Sequence, residues 1–357
     1  MTRPIGVGVV GANPDRGWAT RAHLPAICAV PQFELAAVAT TRTETVERTR
    51  DRFGARHAFT DAASLAAHPD VDLVVVTVKV PAHMELISAA IDAGKHVHSE
   101  WPLARTASEA ERLVTAAAAA GIHTAVGLQA RFAPAVARAR SMISEGSIGA
   151  IRAANVHSAR AKGATRDVPA WSAYTYDASN GAGMVEVLGG HALDLVQHLL
   201  GPIRQLTACT ALRSPDHTVA ETGDPITVTA PDHLLANAEL DGGAVVSIHL
   251  HDADVAVART RIEIMGADGD IALVSAPESD PWAAQLQIGR LDLYHARPGD
   301  SAWRPVPLGP DRFEALPLEA ANVARLYHQL AGDLRSDTHT VPGFEAAHRL
   351  HVLLAGS

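Results

Sequence analysis

Between Ile5 and Gly127 short apolar runs alternate strictly with helical patterns, and that rhythm leaves few folds open. Ile5–Val10, Glu34–Thr40, Val71–Val78, His96–Ser99 and His123–Gly127 read as strands, with a weaker candidate at Arg56–Phe59. Helical patterns fill the intervals at Arg21–Val30, Glu44–Phe53, Ala62–Ala67, His83–Ala93 and Ser108–Ala120. The last of these has a start signal, Thr106 with Glu109 in a capping box, and a stop at Gly121. The Val/Leu run from Val71 is what a strand buried on both faces requires. Strands and helices in alternation predict a doubly wound α/β domain with a parallel sheet, a Rossmann arrangement, over residues 1–128.

After a linking helix at Ala133–Ser144 the rhythm changes. Ala150–Ser158, Ile203–Leu212, His233–Leu240, Ala244–His251, Arg261–Met265 and Asp270–Val274 read as strands. The turns at Asp241-Gly242-Gly243 and Ala267-Asp268-Gly269 are hairpin signals. One long helix, Ala182–Leu200, interrupts them. Residues 129–357 therefore read as an α+β domain with a large, mostly antiparallel open sheet. Its closing helices, Glu319–Leu334 and Phe344–Leu354, are expected to pack back toward the first domain.

Composition narrows the partners. The 357 residues carry 30 Lys+Arg against 39 Asp+Glu, a net charge of −9, which argues against nucleic acid or an anionic membrane as the main partner. No run of 18 apolar residues occurs, and the first residues read as a strand and not a signal peptide. Two cysteines, Cys28 and Cys209, exclude a disulfide framework or a Cys-rich zinc site, so a cytoplasmic protein is expected. Only three of the basic residues are lysines, Lys79, Lys95 and Lys162, and there are four tyrosines, so the Lys and Tyr proton donors can be checked one by one.

The turn after the first strand, Gly11-Ala-Asn13-Pro-Asp-Arg-Gly17-Trp18, lies where a dinucleotide fold needs tight backbone and amides facing a pyrophosphate. Its glycine spacing is stretched, and the strand–turn–helix setting is what favours a nucleotide over an ordinary glycine turn. At the end of the second strand, where an acidic residue binds the ribose of NAD, the chain has Thr40-Thr41-Arg42. A hydroxyl followed by arginine suits a 2′-phosphate, so NADP is favoured over NAD.

Ala93-Gly94-Lys95-His96-Val97-His98-Ser99-Glu100-Trp101-Pro102-Leu103-Ala104 resembles the AGKHVxxEKPLA signature of the Gfo/Idh/MocA oxidoreductase family, and Gly189-Gly190-His191-Ala192-Leu193-Asp194 resembles its GxHxxD helix. The turn at Gly11, the Glu100-Trp101-Pro102 segment and Pro231–Leu235 look nearest to a branch of non-enzymatic galactose-pathway repressors. The resemblance implies a Rossmann domain, a second domain whose sheet face forms homodimers or homotetramers, and an active site between the two. It also implies a cis peptide before Pro102. With Thr77, Glu100 and Gln129, the residues Gly11, Asn13, Gly17, Trp18, Thr41 and Arg42 form the expected cofactor set.

The departures bear on catalysis. The family lysine falls on Trp101 and its aspartate on Val187, leaving His191. A positioned acid/base contributes about 10²–10⁴-fold, which an indole and a valine cannot supply. His191, titrating near the working pH, is the first substitute and Lys79, at the end of the fourth strand, the second. Lys162 lies in a loop near Tyr174. Trp101 is expected to wall the nicotinamide, and Tyr176 and Asp177 to contact substrate or pack their loop. Arg131 opens a basic stretch to Arg166 that fits an anionic substrate, a complementary subunit or a solvated face. The histidines show no ligand spacing, so no metal site is expected. Two functions stay open: an NAD(P)-dependent oxidoreductase acting on a small sugar, polyol or related compound, and a regulatory protein that binds NAD(P) without turnover.

Overall fold

The computed structural model describes residues 3–160, 165–252, 255–276 and 281–356, and in it the first apolar run forms β1 (Ile5–Val10), with Val7 and Val9 fully buried. The elements that follow are α1 (Leu24–Ala29), β2 (Phe33–Ala39), α2 (Thr43–Phe53), β3 (His57–Phe59), α3 (Ala62–Ala67) and β4 (Leu73–Val76). Then come α4 (His83–Asp92), β5 (His96–Ser99), α5 (Ala107–Ala120) and β6 (Thr124–Val126). Their six strands pair in the order β3-β2-β1-β4-β5-β6, all parallel. Strand order reverses beside β1, and folds of this kind bind ligands at the carboxyl ends of the strands at that point. All four residues of β4 are buried, as its valine run requires. The strand is shorter than the Val71–Val78 run because Val10 ends β1: Thr77 N–H closes on Val10 O at 3.1 Å and the chain leaves the sheet. Thr106 caps α5, its hydroxyl accepting from Glu109 N–H, and Gly121 ends the helix in the left-handed conformation.

The second unit holds α6 (Pro134–Ser144), β7 (Ile151–Ala159), β8 (Asp167–Val168), α7 (Gly190–Leu200), β9 (Ile203–Ala211), β10 (Asp216–Val219) and β11 (Pro225–Thr227). It continues with β12 (His233–Leu240), β13 (Val245–His251), β14 (Arg259–Gly266), β15 (Asp270–Ser275), β16 (Leu291–Ala296) and β17 (Arg304–Pro305). Eight strands form an open sheet, β17-β16-β15-β14-β7-β13-β12-β9, in which only β13 with β7 is parallel. Strands β8, β10 and β11 make a small separate sheet. The sequence reading left out β8, β10, β11, β16 and β17. The long helix expected from Ala182 begins instead with a π turn at Val185–Gly189 that runs into α7.

Two compact units account for the chain: Met1–Gln129 with Arg312–His351, and Ala130–Asp311 with Val352–Ser357. The first boundary falls beside the expected 128/129 junction. The expected second domain, 129–357, carries closing helices that pack back toward the first. Helix α8 (Leu318–Ser336) and most of α9 (Phe344–Ala355) belong with the first unit. The reason is packing: Tyr327 of α8 is fully buried, edge-on to Phe33 at 5.5 Å and to His23 at 5.8 Å.

Candidate active site

The turn after β1 has the backbone that a nucleotide cradle needs. Gly11 has φ +93°, and a side chain on it would meet Val78 Cγ1 at 2.7 Å. Gly17 has φ +97° and open space where a Cβ would stand, so a ligand can approach its backbone closely. Asn13 folds the turn on itself, accepting from Asp15 N–H at 2.9 Å. Trp18 leads into a π turn at Ala19–His23 that precedes α1; its indole N–H is buried without a partner. Gln129 Oε1 is buried and unpartnered in the same way. Thr77 spends its hydroxyl on Val10 O at 2.8 Å. Thr41 and Arg42 are exposed beyond the end of β2, with no carboxylate in the Thr40-Thr41-Arg42 segment. A buried donor, a buried acceptor and a glycine turn at the sheet's carboxyl edge fit a dinucleotide.

Glu100 follows β5 and is the centre of a buried network. Its Oε1 lies 2.8 Å from His23 Nε2, while His23 Nδ1 meets the Tyr327 hydroxyl at 2.7 Å. His98 Nε2 is 3.8 Å from the same carboxylate oxygen, beyond hydrogen-bonding distance. Burial holds His98 well below the usual histidine range, with His23 adding to the effect, and pushes Tyr327 well above the usual phenol range. Sequence spacing missed this group because His23 and Tyr327 lie far from the His98-Ser99-Glu100 segment in the chain. The Trp101–Pro102 peptide is cis. The Trp101 indole is 5% exposed and packs on the His351 ring at 4.7 Å. Lys79 is exposed, just beyond the end of β4.

In the second unit His191 corrects the sequence expectation. It was expected to titrate near the working pH; burial, aided by the Arg160 charge, lowers its pKa to about 3. Its Nδ1 is buried without a hydrogen bond. Arg160 itself forms a buried ion pair with Asp252, at 3.0 and 2.6 Å, and reaches Gln285 Oε1 at 3.2 Å. Tyr176 lies against the His217 ring at 4.6 Å. Burial and the Asp252 charge push the Tyr176 phenol up to about 12, with Arg160 opposing. Asp177 caps its own loop, accepting from Ser179 N–H at 2.9 Å and Ser179 Oγ at 2.8 Å. Arg131 is paired with the buried Asp194 through its guanidinium Nε and Nη2, the Nε contact at 2.8 Å. Within the basic stretch Arg131, Arg138 and Arg160 are thus committed to carboxylate pairs, Arg138 with Glu145. Glu186, in the π turn ahead of His191, is an acid that sequence reasoning passed over; burial raises its pKa. Lys162 lies outside the described residues.

Residues 5–128 match the oxidoreductase family with an NAD-binding Rossmann fold, and residues 134–275 match the C-terminal domain of Gal80p. The galactose/lactose metabolism regulatory protein GAL80 of Saccharomyces cerevisiae is 30% identical over 313 residues, 82% of this chain and 70% of its own. The chain belongs to the Gfo/Idh/MocA family. Within the Gfo/Idh/MocA family it lies near the Gal80-like branch. A super-repressor mutant of Gal80p superposes with a TM-score of 0.86 at 26% identity, over 99% of this chain and 95% of its own. Enzymes are also near. The dehydrogenase aclE of Aspergillus oryzae is 35% identical over 232 residues, 62% of each chain and so less than two thirds of that relative. Levoglucosan dehydrogenase, solved with NADH and levoglucosan, shares the fold with a TM-score of 0.83 at 22% identity, over 99% of this chain and 96% of its own.

Proposed function

We propose that the chain is an NAD(P)-dependent oxidoreductase that transfers hydride to or from a sugar, polyol or related hydroxy or oxo compound. The observation that carries this reading is the open glycine turn beside the unpartnered Trp18 indole N–H, at the carboxyl edge of the parallel sheet. Gly11, Asn13, Gly17 and Trp18 would hold the pyrophosphate side of the cofactor, and Thr77, Glu100 and Gln129 its nicotinamide side. Thr41 and Arg42 would take the 2′-phosphate, which favours NADP. The bound nicotinamide supplies or accepts the hydride. Related dehydrogenases such as aclE support this class of chemistry.

His191 is the first acid/base of the proposal and Lys79 the second. With a pKa of about 3, His191 is neutral at working pH but a weak base, so taking a substrate hydroxyl proton would require the charge that develops beside it in the ternary complex to raise that pKa. Lys79 is exposed and can donate to an alkoxide. Trp101 does neither and serves as an apolar wall. Tyr176, Asp177 and Arg131 are assigned to the substrate side, through the loop that Asp177 caps and the helix that Arg131 braces.

The second reading, NAD(P) sensing without turnover, is favoured by one specific observation. The two positions that carry the family's lysine and aspartate hold Trp101 and Val187, and the indole packs on His351. We place the protein in the cytoplasm, where its two free thiols are chemically at home. Self-association through the open face of the eight-stranded sheet is supported by Leu235 and Val245, 48% and 55% exposed there. Absorbance of NADPH or NADH, followed with a panel of sugars, polyols and their oxo forms, tests the enzyme reading. Turnover with one compound class supports it; tight cofactor binding without turnover across the panel leaves the sensor.

A further inference from the structure

Three groups of histidines and carboxylates converge within the first unit: His23, His98 and Glu100; His57, His68 and Asp70; and His123, Asp337 and His339. They differ in what their ring atoms already do. His57 is bonded to Asp70 at 2.9 Å, as His23 is to Glu100 at 2.8 Å, but His68 Nδ1 also accepts from Asp70 N–H at 3.2 Å, so both histidines of the second group are already engaged. In the third group Asp337 is nearly bare to solvent, 92% exposed. Both histidines of the first group are buried, and His98 has both ring nitrogens enclosed without a hydrogen bond. Leaving a buried polar atom unpaired costs about 1–3 kcal/mol, so such a ring calls for a partner.

We propose that His23, His98 and Glu100 form a binding site for a divalent transition ion of the zinc type. Zinc bonds of about 2.0–2.1 Å to imidazole and carboxylate place tetrahedral ligand atoms about 3.3 Å apart. The separations from Glu100 Oε1, 2.8 Å to His23 Nε2 and 3.8 Å to His98 Nε2, bracket that spacing. The ligand atoms of all three residues lie within 4.8 Å of one another, so side-chain shifts of about an ångström or less would seat one ion among them. Two imidazoles and one carboxylate select a zinc-like ion over magnesium or calcium, which prefer oxygen alone. Tyr327 orients the site: its hydroxyl, 2.7 Å from His23 Nδ1, holds the other ring nitrogen and leaves Nε2 for the ion. The ion ties the segment before α1, the end of β5 and, through Tyr327, α8.

The test uses full-length protein with any histidine tag removed and Zn²⁺ or Co²⁺ alone as the probe. After dialysis and gel filtration, elemental analysis is expected to find one Zn²⁺ per chain, and Co²⁺ to give a tetrahedral visible band. His98→Phe and Glu100→Gln should abolish both signals, while a His68→Gln, His339→Gln double variant keeps them. Tyr327→Phe removes one oxygen and should weaken Zn²⁺ binding about tenfold. It carries the test even where His98→Phe fails to fold. No stoichiometric ion in the wild type, undiminished affinity in Tyr327→Phe, or loss of the ion only in the double variant would overturn the proposal.

Discussion

Acid should cost this protein stability through His191, and the amount can be worked from its burial. In the folded chain the imidazole has a pKa of about 3; in the unfolded chain it regains its ordinary 6.5. The folded pKa is the depressed one. His191 therefore imposes no penalty above pH 6.5, and stability is lost as pH falls from there toward 3, where the unfolded chain binds a proton that the folded chain refuses. The full difference of 3.5 units corresponds to about 5 kcal/mol. At about pH 5 roughly 2 kcal/mol of it is already gone. His198 and His351, lowered to about 3 and about 4, steepen the wild-type curve further, so the measurement must be a difference. Urea unfolding of wild type and His191→Gln at about pH 7.5 and about pH 5 provides it. The variant should lose about 2 kcal/mol less than the wild type on acidification. An identical loss in both would refute a buried, neutral His191.

Arg42→Ala should erase most of a preference for NADPH over NADH, a change of about tenfold given the screening of an exposed guanidinium, measured by fluorescence titration of both cofactors. Gly17→Val, at φ +97°, should weaken both cofactors alike, because it strains the backbone and fills the open approach; unchanged affinity would detach the turn from cofactor binding. Asp252→Asn, by stranding the buried Arg160, should cost about 3–5 kcal/mol in urea unfolding. With that negative charge removed, the Tyr176 phenol should titrate below its present value of about 12, visible in ultraviolet absorbance.

Much of the fold was legible because its physics is local. A strand covered on both faces must be apolar throughout, and β4 announces itself by its valines. The Thr106 cap and the two glycine turns act over three or four residues. Short strands such as β8 and β11 carry too few residues for any alternation to appear, and β17 has two. The return of α8 to the first unit depends on Tyr327 meeting His23, across 304 positions of sequence. The candidate site divides the same way. The glycine turn and the cis Trp101–Pro102 bond follow from motifs, whereas the titration of His191 is set by its burial and, secondarily, by Arg160, neither of which a local pattern reveals. The expectation of no metal site rests on spacing along the chain; the grouping of His23 with His98 and Glu100 arises only where the segment before α1 meets the end of β5.

Hydride transfer by a nicotinamide bound at the glycine turn is the central proposal. NADPH deuterated at C4, incubated with the protein and a panel of oxo sugars, tests it most directly through mass spectrometry of the products. The predicted result is deuterium on the carbinol carbon of at least one reduced product. Labelled cofactor that binds and is recovered unchanged with every compound would contradict the enzyme and leave a dinucleotide-binding regulator in its place.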